Sequence, residues 1–392
     1  MAEITKRIYL DYAATTPLHP DVFEAMKPYF TEKFGNPSSI HSAGVEAREA
    51  IENARRTIAN CLGASPDEII FTSGGSESDN TAIKGVAYAM AHKGNHLITS
   101  KIEHHAVLEP FNFLQRQGYK VTFLPVDKYG IVEPDDVKKA INDKTILVSI
   151  MHANNEIGTI EPIAEIAKVC RERGIYLHTD AVQSFGAINT KVDELGVDLL
   201  SISAHKFYGP KGIGVLYIRK GTRIESLLHG GAQEMGKRSS THNVPGIVGM
   251  AYAADLAIKE MAQRVEHTQR LRDRLIQFLK NNVDDLIFNG HPEKRLPNNC
   301  HIIVKYIEGE ALLVRLDQLG IYVATGSACS SGSLEPSHVL TAIGIPIEDA
   351  RGSLRITLGR LTTDSDIDYF CAHFPQIVKE LRAISPISKK SV

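Results

Sequence analysis

Short apolar runs alternate with helix-length amphipathic stretches between residues 65 and 219. Seven runs have the length of strands and are rich in Ile, Leu and Val: EIIFTSGG, NHLITSKIEHH, KVTFLPVD, TILVSIMHANNE, GIYLHTDAVQS, DLLSISAHK and GIGVLYIRK. Strands separated by helices are typical of a mostly parallel sheet with helices packed on its faces. The pattern therefore predicts an α/β fold.

Polar residues follow these strands where each apolar run ends. In open α/β sheets ligands bind at the carboxyl ends of the strands, because loops and helix N-termini meet there. Five loops are therefore expected to face one crevice, and they carry Ser73 to Glu77, His104 with His105, Asn154 with Asn155, Asp180 with Gln183, and Ser203 to Lys206.

The pattern changes after about residue 244. A long helical stretch, VPGIVGMAYAADLAIKEMAQ followed by RVEHTQRLRDRLIQFLKNN, precedes a part that contains NCHIIVKY, GEALLVRLDQLG, IYVATG and LRITLGR. We predict a second, smaller α+β domain here, with the long helix as its connector.

Composition limits the possible partners. The 392 residues include 44 basic and 46 acidic side chains, so no excess charge indicates a nucleic-acid partner. No stretch approaches the roughly 18 to 20 apolar residues of a membrane span, and the first residues lack the apolar run of a secretory leader. We expect an intracellular, cytoplasmic protein that binds neither nucleic acid nor membrane.

The cysteines are widely spaced. Cys61, Cys170, Cys300, Cys329 and Cys371 are odd in number and never closer than 29 residues, which excludes a CxxC pair and argues against a disulfide framework. Four lie in helical or strand patterns and are predicted to be core residues. Cys329 instead lies in GSACSSGS, where six of the eight residues are Gly or Ser and almost nothing can build a core.

Three features together favour an aldehyde cofactor. Lys206 ends an apolar strand, and it either extends to solvent or is a desolvated amine that forms a Schiff base. Asp180 is either a helix N-cap or the carboxylate that keeps a pyridoxal ring nitrogen protonated. The Gly-Gly turn before Ser76 is either an ordinary helix entrance or a phosphate site on a helix N-terminus. Their co-occurrence favours pyridoxal phosphate.

The motifs YLDYAATTP, FGNPSSIHSAG, FTSGGSESDN, EHHAV, NNEIGT, HTDAVQSFG, SAHKFYGPKGIG and GSACSSGSLEPSHVL occur in this order. Together they resemble the cysteine desulfurases, the NifS/IscS-like group of the class V aminotransferase family, from about residue 9 to about residue 385. The resemblance implies a fold-type I pyridoxal-phosphate-dependent transferase. Its large domain (16–258) would contain a mostly parallel seven-stranded sheet, and its small α+β domain (1–15 and 259–392) would carry the Cys329 loop.

The resemblance also implies roles for single residues. Lys206 would carry pyridoxal phosphate and remove the substrate α-proton, and Asp180 would pair the pyridine nitrogen. His104 would stack on the ring and take part in catalysis, while Asn155 and Gln183 would hydrogen-bond the phenolic oxygen and ring substituents. The phosphate ligands implied are Gly75, Ser76, Ser203 and His205.

One arginine and one threonine extend the implied site. Arg355 in LRITLGR would bind the substrate carboxylate through its guanidinium fork, with Asn155 beside it. Thr241 matches the threonine that reaches the phosphate of the neighbouring subunit, which implies a homodimer. Ser240 departs from the family pattern, because glycine often stands there, and this matters if the position needs a positive φ. Taken singly, each residue could instead be a turn, core or surface residue.

Cys329 is the implied sulfur acceptor. L-cysteine would be converted to L-alanine while the Cys329 thiolate attacks the substrate sulfur and becomes a persulfide. A Gly/Ser-rich segment gives a cysteine the freedom to travel between the cofactor and an acceptor. The sulfur would pass to an IscU/NifU-like iron–sulfur scaffold protein or to a sulfur carrier for tRNA or cofactor thiolation, and Cys329 is a candidate transient ligand of a [2Fe-2S] cluster shared with the scaffold.

Three alternatives remain open at this point. A class V aminotransferase or a selenocysteine lyase would share the lysine and the aspartate, although the Cys329 segment argues against the aminotransferase. A non-catalytic cluster-binding or sulfur-relay protein would use Cys329 with His104 or His105 as metal ligands. It would leave the lysine, the aspartate and the arginine unexplained.

Overall fold

The computed structural model describes residues 6–326 and 336–386. Its strands are β1 (Ile8–Tyr9), β2 (Ile69–Thr72), β3 (His96–Ser100), β4 (Lys120–Leu124), β5 (Thr145–Ser149), β6 (Tyr176–Asp180), β7 (Leu199–Ser203), β8 (Gly214–Ile218), β9 (Leu286–Asn289), β10 (Asn299–Val304), β11 (Ile321–Tyr322) and β12 (Ser353–Thr357).

The helices are α1 (Pro20–Met26), α2 (Pro28–Thr31), α3 (Ser42–Leu62), α4 (Gly75–Ala89), α5 (His105–Arg116), α6 (Pro134–Ala140), α7 (Ile163–Glu172), α8 (Val192–Leu195), α9 (Val244–Lys259), α10 (Met261–Asn282), α11 (Gly309–Asp317), α12 (His338–Ala342), α13 (Ile347–Ala350) and α14 (Asp364–Ile384). Short 3₁₀ turns occur at Pro66–Glu68, Ala204–Lys206 and Gln233–Gly236.

Seven strands form one sheet in the order β2-β8-β7-β6-β5-β3-β4. Strand β8 is antiparallel to both of its neighbours, and the other pairings are parallel. The predicted α/β fold with a mostly parallel sheet is confirmed. Because the parallel strands run the same way, their carboxyl ends lie along one edge of the sheet.

Helices cover both faces of this sheet. Neighbouring strand residues alternate between two apolar cores: Leu147 packs with Ile83 and Phe111 of α4 and α5, whereas Val148 packs with Ile58 and Ile166 of α3 and α7. Burial on both faces explains why these strands have continuous apolar sequences instead of alternating ones.

A three-stranded antiparallel sheet, β12-β10-β9, builds the smaller part. Its core includes Leu271 of α10 and Phe370 of α14, and Ile8 joins this core because β1 pairs in parallel with β11. The small α+β unit is as predicted, and its exact boundaries, 1–15 and 259–392 against 16–258, stay a prediction. Strand β9 was not foreseen, since its side chains are only partly buried apart from Asn289.

The predicted long connector is divided into two helices. Glu260, with φ −92° and ψ 0°, separates α9 from α10, and its carboxylate lies 3.6 Å from Arg360. The bend occurs where the chain leaves the large sheet and begins to pack on the small one.

The four cysteines of the described residues are buried, as predicted: Cys61, Cys170, Cys300 and Cys371. Burial raises the pKa of Cys170 to about 12 and that of Cys300 to about 11, so these thiols are poor nucleophiles. Within residues 6–326 and 336–386, no helix combines the length and the apolar character needed to cross a bilayer.

Candidate active site

A pocket of about 310 Å³ lies at the carboxyl edge of the large sheet. All five predicted loops contribute to its wall, and β12 and the N-terminal segment complete it. The polar side chains and glycine that line it are Gly75, Ser76, Asp79, His104, Asn155, Asp180, Gln183, Ser203, His205, Lys206 and Arg355.

One side of the pocket is suited to an anion. Helix α4 begins at Gly75 immediately after β2, and among the described residues no side chain caps its N-terminus. A Cβ on Gly75 would lie 2.9 Å from Val182 Cγ2, and Gly74 has φ 153°, so both positions require glycine. The first N–H groups of a helix have no acceptor within it, and with the Ser76 hydroxyl they form a set of donors for phosphate.

Two residues that follow β7 complete this side. Ser203 lines the pocket at the end of the strand, and His205 Nδ1 lies 3.1 Å from Thr15 Oγ1. Burial, aided by the nearby Lys206 charge, lowers the pKa of His205 to about 4, so the ring is neutral at pH 7.

Lys206 lies on the 3₁₀ turn after β7. Its Nζ donates hydrogen bonds to the carbonyl oxygens of Ala13 at 2.5 Å and Ala14 at 2.9 Å. The N-terminal segment therefore holds the amine at the pocket wall, and the side chain does not simply extend into solvent.

A buried carboxylate also lines the pocket. Asp180 ends β6, and its Oδ1 accepts the Val182 N–H at 2.9 Å, a local cap of the turn. Burial raises the pKa of Asp180 to about 6, although the Val182 N–H and Lys206 lower it. A cation that enters the pocket would be stabilised by this carboxylate.

Asp79 of α4 also lines the pocket. Burial and the charge of Asp180 raise its pKa well above the usual range, and its Oδ1 lies 3.5 Å from His178 Nε2. Burial lowers the pKa of His178 to about 3, so this ring brings no charge to offset the two carboxyl groups.

His104 is the N-cap of α5. Its Nδ1 accepts the Ala106 N–H at 3.0 Å, which leaves the proton of the neutral ring on Nε2. Burial, together with Lys206, lowers the pKa of His104 to about 4. The ring therefore offers the pocket a neutral N–H donor at pH 7.

Two amide side chains line the pocket and differ in their hydrogen bonding. Gln183 Nε2 donates to the Ala13 carbonyl at 2.9 Å. Asn155 Oδ1 is buried and has no hydrogen-bond partner in the described part of the chain. A buried amide oxygen without a partner is costly, so Asn155 is suited to a ligand that donates to it. Asn154, by contrast, binds its own loop by accepting the Glu156 N–H at 2.9 Å.

Arg355 reaches the pocket from β12 of the smaller sheet. Its side chain is 3% exposed, and its Nη1 donates to the Asn155 carbonyl at 3.1 Å. Asp11 pairs with its Nη2, and Nε has no hydrogen-bond partner within the described residues. The guanidinium thus keeps donor capacity for a carboxylate.

Among the described residues, one predicted site residue, Thr241, does not line this pocket. Thr241 is exposed and precedes α9. Ser240 beside it has φ 121°, so the position where glycine was expected does need a left-handed backbone. Cys329 lies outside the described residues.

Some pocket residues were not assigned by the sequence. Asp11 and the carbonyls of Ala13 and Ala14 belong to YLDYAATTP, which was noted only as a motif, and Asp79 belongs to FTSGGSESDN. The clustering of motif residues was the available signal. That clustering does not predict a hydrogen-bond partner for any of these residues.

Residues 8–370 match the sequence family described as Aminotransferase class-V. Cysteine desulfurase IscS of Dictyoglomus turgidum (strain DSM 6724 / Z-1310) is 59% identical over 392 residues, covering 98% of this chain and 100% of that protein. Cysteine desulfurase IscS of Methanosarcina thermophila is 55% identical over 385 residues, covering 98% and 95%.

Solved structures agree with these sequence relatives. A NifS-like protein superposes with a TM-score of 0.91 at 41% identity, covering 96% of this chain and 100% of that one. A structure of SspA in complex with cysteine has a TM-score of 0.80 at 38% identity, covering 91% and 100%.

Proposed function

This chain belongs to the class-V aminotransferase family and is a cysteine desulfurase, and we propose that it converts L-cysteine to L-alanine in the pocket around Lys206. The observation that carries the proposal is the convergence of Lys206, Asp180 and Arg355 on one pocket. An amine, a buried carboxylate and a guanidinium are the groups needed for an amino-acid substrate and an aldehyde cofactor.

The family depends on pyridoxal 5'-phosphate, and the residues present fit that group. The uncapped start of α4, with Gly75 and Ser76, offers donors for the phosphate, as do Ser203 and His205. Asn155 Oδ1, which has no hydrogen-bond partner among the described residues, and the buried Asp180 suit the polar edges of a pyridinium ring. When bound, the cofactor supplies an electron sink for the bonds at the substrate α-carbon.

Substrate orientation is assigned to Arg355 and Asn155. The guanidinium is held by Asp11 and by the Asn155 carbonyl, so its direction is set before substrate arrives. A carboxylate bound by a preoriented arginine places the amino-acid side chain in a defined direction.

Proton movements are assigned to Lys206 and His104. Lys206 Nζ lies at the pocket wall and would take the proton from the substrate α-carbon and later return a proton to the product. His104 Nε2–H is placed to donate a hydrogen bond to ring or substrate, since Nδ1 is already occupied by the Ala106 N–H.

Cys329 is the proposed sulfur acceptor. Its thiolate would attack the substrate sulfur, so the Cβ–S bond of the substrate breaks, an S–S bond forms on Cys329, and the electron pair of the broken bond stays with the three-carbon product, which is protonated to alanine. The four described cysteines are buried and poor nucleophiles, which supports Cys329 for this role.

We further propose a cytoplasmic homodimer. Thr241 is exposed and does not line the pocket of its own chain, which supports a second copy that brings it to a cofactor phosphate. The persulfide would pass to an IscU/NifU-like iron–sulfur scaffold or a sulfur carrier, with Cys329 as a transient ligand of a shared [2Fe-2S] cluster.

The decisive experiment measures alanine and sulfide together after L-cysteine and a reducing thiol are added to the purified protein. We expect a yellow protein that yields the two products in equal amounts, and a Cys329→Ala variant that stays yellow and loses both. Native protein that forms neither product, or a variant as fast as native, would refute the proposal.

A further inference from the structure

Glu156 contacts both ends of the segment that carries Cys329. It follows Asn155 in NNEIGT and is 5% exposed. Its Oε2 accepts a hydrogen bond from Ser337 Oγ at 2.5 Å. Ser337 is also the N-cap of α12, accepting the N–H groups of Val339 and Leu340 at 3.1 and 3.4 Å. The start of α12 is therefore fixed to Glu156 through one hydroxyl group.

The other end approaches the same oxygen atom. A Cβ built on Gly326 would lie 2.5 Å from Glu156 Oε2 and 3.4 Å from His301 Nε2. Such a contact is shorter than real Cβ contacts, so any side chain at position 326 would displace the Glu156 carboxylate. Gly326 and Ser337, on either side of residues 327–335, thus pack on a single carboxylate oxygen.

Glu156 directly follows Asn155, which lines the substrate pocket. Arg355 donates to the carbonyl of Asn155, the residue before Glu156, and its backbone N–H donates to the Ala324 carbonyl at 2.6 Å. Burial raises the pKa of Glu156 to about 7, although Ser337 and the Arg355 charge lower it. A buried acid that costs stability in this way is retained where its contacts matter.

We propose that Glu156 is a positioning residue for sulfur capture: it fixes Gly326 and Ser337 against the residues that bind the substrate carboxylate. This inference rests on the proposed function. Cofactor binding and α-proton removal need Lys206 and Asp180, whereas capture also needs Cys329, which lies between Gly326 and Ser337 in the chain. Loss of the anchor should therefore separate the two half-reactions.

The test measures both half-reactions in the full-length protein, purified with its cofactor. Exchange of the α-proton of L-alanine in D₂O reports the first half-reaction. The second is reported by persulfide on Cys329, which is trapped after one addition of L-cysteine and detected by mass spectrometry. Glu156→Ala and Ser337→Ala are expected to slow persulfide formation by about 10-fold to 100-fold while exchange is unchanged.

Conservative variants and a matched control separate anchoring from folding. Glu156→Gln keeps an acceptor and Ser337→Thr keeps the hydroxyl, so both should restore persulfide formation. Thr363→Ala removes another side-chain N-cap, that of α14, which lies outside the pocket, and should leave both rates at native values. Like Ser337→Ala, it is expected to lower stability, because a helix loses its side-chain N-cap.

Two results would overturn the inference. One is native persulfide formation in both alanine variants, and the other is an equal loss of exchange and persulfide, which would make Glu156 a structural residue only. If native protein forms no persulfide while it still exchanges the α-proton, the proposed function fails instead.

Discussion

Arg355 Nη2 donates a hydrogen bond to Asp11 Oδ1 over 2.8 Å, which joins residues 344 positions apart in the chain. The guanidinium is 3% exposed and the Asp11 side chain 18% exposed. Because its Nε has no partner among the described residues, the arginine is both held in place and incompletely satisfied. That combination suits a residue that binds the carboxylate of a substrate.

Replacing Arg355 with Lys should weaken substrate binding more than turnover. A lysine keeps the charge but cannot donate through a planar fork, so KM for L-cysteine should rise by about 10-fold to 100-fold. Steady-state alanine formation over a range of L-cysteine concentrations measures this change.

The matched control is Arg360→Lys. Arg360 belongs to the same LRITLGR stretch, but its charge lies 3.6 Å from Glu260 and it does not line the pocket. The KM of Arg360→Lys for L-cysteine should equal that of the native protein. An equal rise in both variants would mean that the effect arises from the local strand and not from a substrate contact.

His104 should act as a neutral donor throughout the physiological pH range. Its pKa is lowered to about 4, so its protonated fraction is small between pH 5 and pH 8. His104→Gln is expected to lower kcat by about 10²-fold, with the pH at which activity falls on the acid side unchanged. Profiles of kcat against pH for both proteins test this. Disappearance of the acid limb in the variant would show that His104 itself titrates there.

Glu234 should be a major source of stability for the segment before α9. It accepts hydrogen bonds from Arg55 Nη2 at 2.7 Å, the Phe71 N–H at 2.7 Å and His242 Nε2 at 2.8 Å. Glu234→Gln removes the buried counter-charge of Arg55 and leaves it with the partly exposed Glu52, 3.3 Å from its Nε, at a cost of about 3 kcal/mol at pH 7. Unfolding in urea measures the difference.

The pH dependence of this effect has a definite sign. Arg55 and His242 lower the pKa of Glu234 to about 2 against an ordinary 4.5. The stabilisation is therefore complete above pH 4.5 and is lost as pH falls towards 2. The difference in free energy of unfolding between the native protein and Glu234→Gln should therefore decrease as the pH falls from 4.5 to 2.

Asp364→Asn is the control for Glu234. Its pKa is also lowered to about 2, by Arg270 and Arg274, but the pair is exposed to solvent. Solvent screens such pairs, so no measurable change in unfolding is expected. A loss as large as that of Glu234→Gln would contradict the importance of burial here.

Ser240→Gly should stabilise the protein. Ser240 holds φ 121°, which costs a non-glycine residue about 1 to 3 kcal/mol, while glycine costs about 0.5 to 1 kcal/mol of extra chain entropy. Urea unfolding should report a net gain of about 1 kcal/mol. Ser239→Gly, which loses the hydrogen bond from Ser239 Oγ to the Gly231 carbonyl at 2.7 Å, should be destabilising. A loss in both variants would mean that Ser240 is not strained.

The sequence by itself determined the sheet and the five loops that meet at its carboxyl edge. Apolar runs of strand length, separated by amphipathic helices, require helices on both faces of the sheet. Parallel strands then bring their carboxyl ends to one edge, so the loops carrying Ser76, His104, Asn155, Asp180 and Lys206 had to meet. The Ser240 departure could also be recognised, because φ preference is a property of a single residue.

Only the tertiary structure decided which groups pair across the site. Asp11 binds Arg355 and Glu156 binds Ser337, over separations of 344 and 181 residues. Such contacts depend on how distant parts of the chain pack together, and no local spacing encodes them. The pKa directions of Asp180 and His104 followed from burial in the same way. Chain order fixes which residues reach an edge of the sheet, whereas packing in three dimensions fixes their partners and their charge.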